Sequence, residues 1–190
     1  MENKIIDIKK GDRISILTYG VDRFYLVRTI IKTLKSKSVI LFNSGSNENY
    51  YFPCISLKMA YGWDLKQMVL EYLDDYSIAI INCLKEDFNT KETNEFLKFL
   101  SEDKKLKNKT FILLINTTYD RCERGEKVTY KHVPSYKKSI LKYCNKHFSY
   151  YTRENAKYAY STEWVLEDFD NKTKNTFDLD WDTNKLLQTN

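Results

Sequence analysis

A chain of 190 residues, 42% hydrophobic and 30% charged, is long enough for one domain with a real core and too apolar to remain disordered. Five glycines and two prolines exclude a long linker or a low-complexity segment, and no internal repeat occurs. The net charge of +5 is uneven: Arg121 to Arg153 carries nine Lys/Arg against two Glu, a local +7, whereas Glu163 to Asp182 carries seven Asp/Glu against two Lys, a local −5.

Met1-Glu2-Asn3-Lys4 is not followed by the apolar run of a signal peptide, and the longest apolar runs, near Ile78–Ile81 and Phe111–Ile115, are too short to span a bilayer. The expectation is a cytoplasmic protein, or a nuclear one in a eukaryote, with no membrane partner. Cys54, Cys83, Cys122 and Cys144 form no C-x-x-C pair, and His132 and His147 stand 15 residues apart. Zinc sites need closely spaced ligand pairs, so these cysteines read as reduced structural thiols.

Ile5, Ile6 and Ile8 predict a short strand, Lys10-Gly11-Asp12 a turn, and Arg13–Leu17 a second strand with Gly20 beyond its end. Phe24, Val27, Ile30, Ile31 and Leu34 recur at helical spacing across 21–34. Ser38–Phe42 is a continuous apolar strand of the buried, parallel type, followed by turn residues over Asn43–Asn49. Leu65, Met68, Val69 and Tyr72 share one helical face, and Ser77–Cys83 is the next buried strand. Asn89 with Glu92 resembles an N-cap and its reciprocal glutamate, opening a helix with Phe96, Phe99 and Leu100 inward. Thr110–Ile115 is the fourth buried strand.

Beyond Asn116 the pattern changes. The stretch 117–134 is polar and basic without periodicity and predicts a loop; Ser135–Lys146 predicts a helix with Ile140, Leu141 and Cys144 inward. His147–Thr152 and Ala156–Thr162 predict two strands joined by Arg153-Glu154-Asn155. The alternation of strands and helices defines an α/β domain: a mainly parallel sheet with helices on both faces and a C-terminal antiparallel hairpin. Residues 1–162 form its core, and 163–190 an acidic edge strand or tail.

The turn after the first core strand is where an α/β nucleotide enzyme holds phosphate. A phosphate loop needs G-x-x-x-x-G-K-[ST], so that backbone amides and a lysine surround the anion. Here Thr18-Tyr19-Gly20-Val21-Asp22-Arg23 has one glycine, no Lys-Ser/Thr pair, and an aspartate that repels anions. Ile78–Ile81 and Phe111–Ile115 run into Asn82 and Asn116, neutral amides where a magnesium site wants a charge. Neither histidine stands in an apolar strand-end context that suits a triad base. Asp87 with Glu102-Asp103-Lys104 lies at a helix end rather than on a strand, and Asp178, Asp180 and Asp182 lack the glycine and terminal glutamate of a calcium loop. No catalytic residue, cofactor or metal is expected, and the chain does not read as an enzyme.

The basic segment is the candidate site. Arg121, Arg124, Lys127 and Lys131 fall in the expected loop, and Lys137, Lys138 and Lys142 on the helix after it, interleaved with Tyr130, His132, Tyr136 and Tyr143. Cations neutralise phosphates and release counterions, while aromatic faces stack on exposed bases. A lysine-rich solvated face is the plainer alternative.

The chain resembles the RecA-like core of archaeal and eukaryotic strand-exchange recombinases, above all their degenerate paralogues. Gly11-Asp12-Arg13-Ile14-Ser15-Ile16-Leu17-Thr18-Tyr19-Gly20 looks like the approach to that family's phosphate loop. Tyr61-Gly62-Trp63-Asp64-Leu65 through Glu71, then Ile78–Ile81, is similar to its helix leading into the third strand; Asn89-Thr90-Lys91-Glu92 through Leu100 is similar to the helix before its magnesium strand. The likeness spans Gly11 to Thr162, but the ATP-holding loop is absent. It implies an ATP-independent, DNA-binding accessory protein in recombination or repair, dimeric with itself or with a RecA-like paralogue. Two alternatives stay open: a structural subunit whose basic segment meets an acidic partner or the chain's own tail, and a small nuclease.

Overall fold

The computed structural model describes residues 5–19, 23–34, 38–44, 54–59, 64–84, 91–117, 120–124, 127–131, 138–154, 162–180 and 185–189. In chain order these form β1 (Arg13–Tyr19), α1 (Phe24–Thr33), β2 (Val39–Ser44), β3 (Ile55–Met59), α2 (Leu65–Glu71), β4 (Ile78–Leu84), α3 (Lys91–Glu102), a 3-10 turn (Lys104–Leu106) and β5 (Thr110–Thr117). Then come β6 (Asp120–Arg124), β7 (Lys127–Lys131), α4 (Lys138–Tyr143), β8 (Lys146–Glu154), β9 (Thr162–Asp168), β10 (Thr173–Asp180) and β11 (Lys185–Thr189).

Nine of the described strands make one sheet in the order β3-β2-β4-β5-β1-β8-β9-β10-β11. Pairing is parallel from β3 to β8 and antiparallel from β8 to β11. The continuous apolar runs are the inner parallel strands, because a strand covered on both faces has no polar side. One face packs Leu17, Phe42, Ile81, Leu113 and Ile115 against Met68 and Val69 of α2, Phe96, Leu97 and Leu100 of α3, and Ile140 of α4. The other packs Ile14, Ile16, Leu41, Ile80 and Leu114 against Leu26, Val27, Ile30 and Ile31 of α1.

Helix α1 is covered over most of its circumference. Leu26, Val27, Thr29, Ile30 and Ile31 are all buried, a wider arc than one sheet contact needs. The second cover is the C-terminal antiparallel group: β11 runs alongside α1, Leu166 and Phe177 join its core, and the Tyr25 and Trp164 rings meet edge-on at 5.7 Å. The sheet therefore curls over α1 at this end.

The amino ends of β1, β5 and β8 are fastened by polar groups. Buried Arg13 donates from Nε to the Leu100 carbonyl at the end of α3 (2.8 Å), from Nη2 to Leu106 (2.9 Å) and from Nη1 to Lys109 (2.6 Å). A cation there also complements the negative end of the α3 dipole. Asp12 accepts from the Lys9 amide, from Asn145 Nδ2 and from Lys146 Nζ. Burial by itself raises the Asp12 carboxyl, but these donors outweigh it and hold the group below its ordinary range. Gly11 turns the chain at φ +85°, with its amide donating to Thr110 Oγ1; a Cβ there would meet the Lys107 carbonyl at 3.1 Å.

Several expectations are corrected. Ile5, Ile6 and Ile8 form no strand; they pack into the α1-side core, with Ile6 buried. Within the stretch 117–134 the described residues are not a loop: β5 continues to Thr117 and an antiparallel hairpin, β6–β7, follows. The described part of α4 is Lys138–Tyr143, Lys146 already belongs to β8, and Leu141 is 44% exposed rather than inward, because Ile140, Tyr143 and Cys144 at i, i+3 and i+4 make the core-facing stripe and Leu141 turns away from it. Arg153 and Glu154 extend β8; the expected strand from Ala156 lies outside the described residues up to Thr162, where β9 begins. The stretch after Glu163 forms β9, β10 and β11 of the same sheet, held by Val165, Leu166 and Phe177 in the core. Edge strand β3 was not expected. Asn89 lies outside the described residues, and among those described no helix is long and apolar enough to cross a membrane.

Candidate functional site

Strand β1 leaves its carboxyl end through α1 on one face of the sheet, and its neighbour β5 leaves toward β8 through α4 on the other. Where neighbouring strands diverge in this way, an open α/β sheet leaves a crevice outside their carboxyl ends. Among the described strand-end residues here, Thr18, Asn43 and Asn82 are uncharged. Thr18 is buried, donates to the Ile115 carbonyl at 3.2 Å, and is the register partner of Asn116. Asn82 Nδ2 donates to Asn43 Oδ1 at 2.8 Å across β4 and β2, and β4 shifts register against β5 between Ile81 and Leu84. Amides and hydroxyls can hold a neutral polar group here, but they bring no charge to a magnesium shell.

The basic hairpin rises from this same edge. Strand β6 begins three residues after the end of β5, and its register with β7 pairs Asp120 with Lys131, Arg121 with Tyr130, Cys122 with Thr129, Glu123 with Val128, and Arg124 with Lys127. Since alternate residues of a strand belong to opposite faces, Arg124, Lys127 and Lys131 share one face with Asp120, and Arg121 shares the other with Tyr130. The two ends of the ribbon differ. At its base the register sets Asp120 opposite Lys131; at its tip it sets Arg124 opposite Lys127, with Glu123 and Glu126 next to them in sequence. The signal available in the sequence was the two-residue Gly125-Glu126 connection between equal five-residue segments.

The helix cations are a separate group. Lys138 and Lys142 are exposed on α4, and Lys142 Nζ lies 5.0 Å from the centroid of the half-buried Tyr143 ring. Helix α4 ends three residues before β8 starts, at the opposite, amino edge of the sheet, so these lysines do not extend the hairpin's row at the carboxyl edge. Lys137, His132 and Tyr136 lie outside the described residues.

Other candidates have structural partners. Glu102 pairs with Lys98 at 3.8 Å, Asp103 accepts from the Lys105 amide, and Asp87 lies outside the described residues. His147 is a buried residue near the start of β8, with Nδ1 2.9 Å from Asp170 Oδ1. Burial pushes the Cys54 thiol up to about 11 and the Cys144 thiol up to about 12, which leaves neither poised as a nucleophile. Among the described residues no group of three His, Cys, Asp or Glu side chains could hold a metal ion. No family model matches this chain, and no curated protein matches it.

Proposed function

We propose that this chain is a non-catalytic nucleic-acid-binding subunit: an ATP-independent, DNA-binding accessory protein of recombination or repair, acting beside a second copy or a paralogue of RecA-like fold. The observation that carries the reading is the β6–β7 ribbon, which sets Arg124 opposite Lys127 at its tip and springs from the carboxyl edge between diverging β1 and β5. Phosphate contacts supply most of the sequence-independent affinity for DNA, and the register sets two cations opposite each other as such contacts require. The uncharged Thr18, Asn43 and Asn82 at the same edge favour binding over metal-assisted chemistry, and the interior position of β1 suits a RecA-like core. Partner choice does not run through an N-terminal strand in this reading, because Ile6 is spent in the chain's own core.

Fluorescence anisotropy with labelled single-stranded and duplex oligonucleotides tests it. Affinity should fall steeply with salt, without any cleavage when magnesium is added. Affinity that ignores salt, or metal-dependent cutting, would overturn the reading.

A further inference from the structure

We infer that β9–β11 form a strap that closes over α1 and opens as a unit, latched at the β9–β10 turn by His147 and Asp170. The strap is built differently from the sheet it extends. The inner strands are sealed by helices on both faces: Arg13 to Thr18 of β1 and Thr110 to Ile115 of β5 are buried side chain after side chain. Among the strap's described residues most of the burial is on one face. Leu166 and Phe177 pack toward α1, and Val165 is the one buried residue described on the reverse face. Beside it the described groups are polar: Tyr151 on β8 donates to Glu167 at 3.1 Å, Glu167 pairs with Lys174 at 3.4 Å, and Asp178 is exposed. Segments that bury little apolar surface open at lower free energy than the core beside them.

What fastens the strap's far end is the turn. The His147 amide donates to Asp170 Oδ2 at 2.9 Å while its Nδ1 lies 2.9 Å from Oδ1, and the Phe169 amide donates back to the His147 carbonyl at 2.9 Å. Asp168 accepts from the Asp170 and Asn171 amides, and Lys172 completes the turn at φ +59° with its Nζ 3.9 Å from the Phe169 ring centroid. His147 is anchored in β8, so Asp170, 41% exposed, is the movable half of the latch. When the strap opens, the flank of α1 and the outer edge of β8 are bared, and a bare strand edge is what a partner's strand can pair with.

Native-state hydrogen exchange of the full chain decides the matter. In the wild type, amides of Leu166 and Phe177 should exchange faster than those of Ile16 and Leu113. Asp170→Asn should speed the strap amides by about 10-fold or more, the effect of losing a hydrogen bond to a charged group, while leaving β1 and β5 unchanged. Their protection also reports that the variant is folded. Strap and core amides exchanging together in the wild type would refute the strap. Acceleration of both sets alike, or of neither, in Asp170→Asn would refute the latch.

Discussion

Arg13 and Phe111 are register partners on β1 and β5, and the Arg13 guanidinium lies 4.8 Å from the centroid of the Phe111 ring while donating to the carbonyls that close α3 and the turn after it. It donates to the carbonyls of Leu100, Gly11, Asp12, Lys109 and Leu106, and these oxygens solvate it in place of water. Arg13→Met keeps the bulk but strands those carbonyls, and should cost about 3 kcal/mol or more. Arg13→Lys should recover only part, since one ammonium cannot span the fork. Urea unfolding measures both, and a loss under about 1 kcal/mol for Arg13→Met would mean that water takes over the carbonyls.

Asp12 gives the fold an acid-sensitive joint. Its carboxyl is held below the ordinary range by Lys146, Asn145 and the Lys9 amide in spite of burial. A depressed folded pKa contributes stability that is complete above the unfolded value, about 4, and is lost as pH falls through the lower folded one. Asp12→Asn should be less stable at pH 7, and the gap from wild type should close below about pH 4. A gap independent of pH would show that packing, not charge, is what the aspartate supplies.

Nucleotide binding should be absent. The segment Thr18–Arg23 has no lysine, and the strand ends that would order magnesium carry Asn82 and Asn116. Titration calorimetry with magnesium-ATP should give no binding heat; a micromolar dissociation constant would contradict this.

The ribbon's two ends should behave differently toward DNA. Arg124→Ala with Lys127→Ala should lower the log–log salt slope by about 0.7 to 0.9 per residue, and weaken binding to all sequences alike, because phosphates carry no base identity. Lys131→Ala, whose register partner is Asp120, should change the slope less. Tyr130→Ala should weaken single-stranded more than duplex binding, since stacking needs unpaired bases. Thermal stability should shift little in any of them. A folded Arg124→Ala, Lys127→Ala double variant with unaltered affinity and slope would remove the tip from the site.

The inner strands were legible because burial on both faces writes itself as an unbroken apolar run, as in Val39–Phe42 and Phe111–Ile115. Helices α1 and α3 were legible through their 3.6-residue stripe. Strand β3 left only a weak mark: Ile55-Ser56-Leu57-Lys58-Met59 alternates, as a half-covered edge does, but is five residues long. The β6–β7 ribbon left less still, because Val128 and Tyr130 alternate over five residues only and Asp120–Arg124 has no apolar period, so its cations were found by composition and their pairing was not.

By itself the sequence determined which inner strands and helix faces are buried, since that follows from side-chain chemistry along short stretches. Only the tertiary structure decided that β1 lies between β5 and β8, that the acidic segment curls over α1, and that Arg13 meets Leu100 across 87 positions and His147 meets Asp170 across 23. Periodicity reports how a segment faces water, whereas the partner of a buried polar group is fixed only when folding removes water and the nearest protein atom has to replace it.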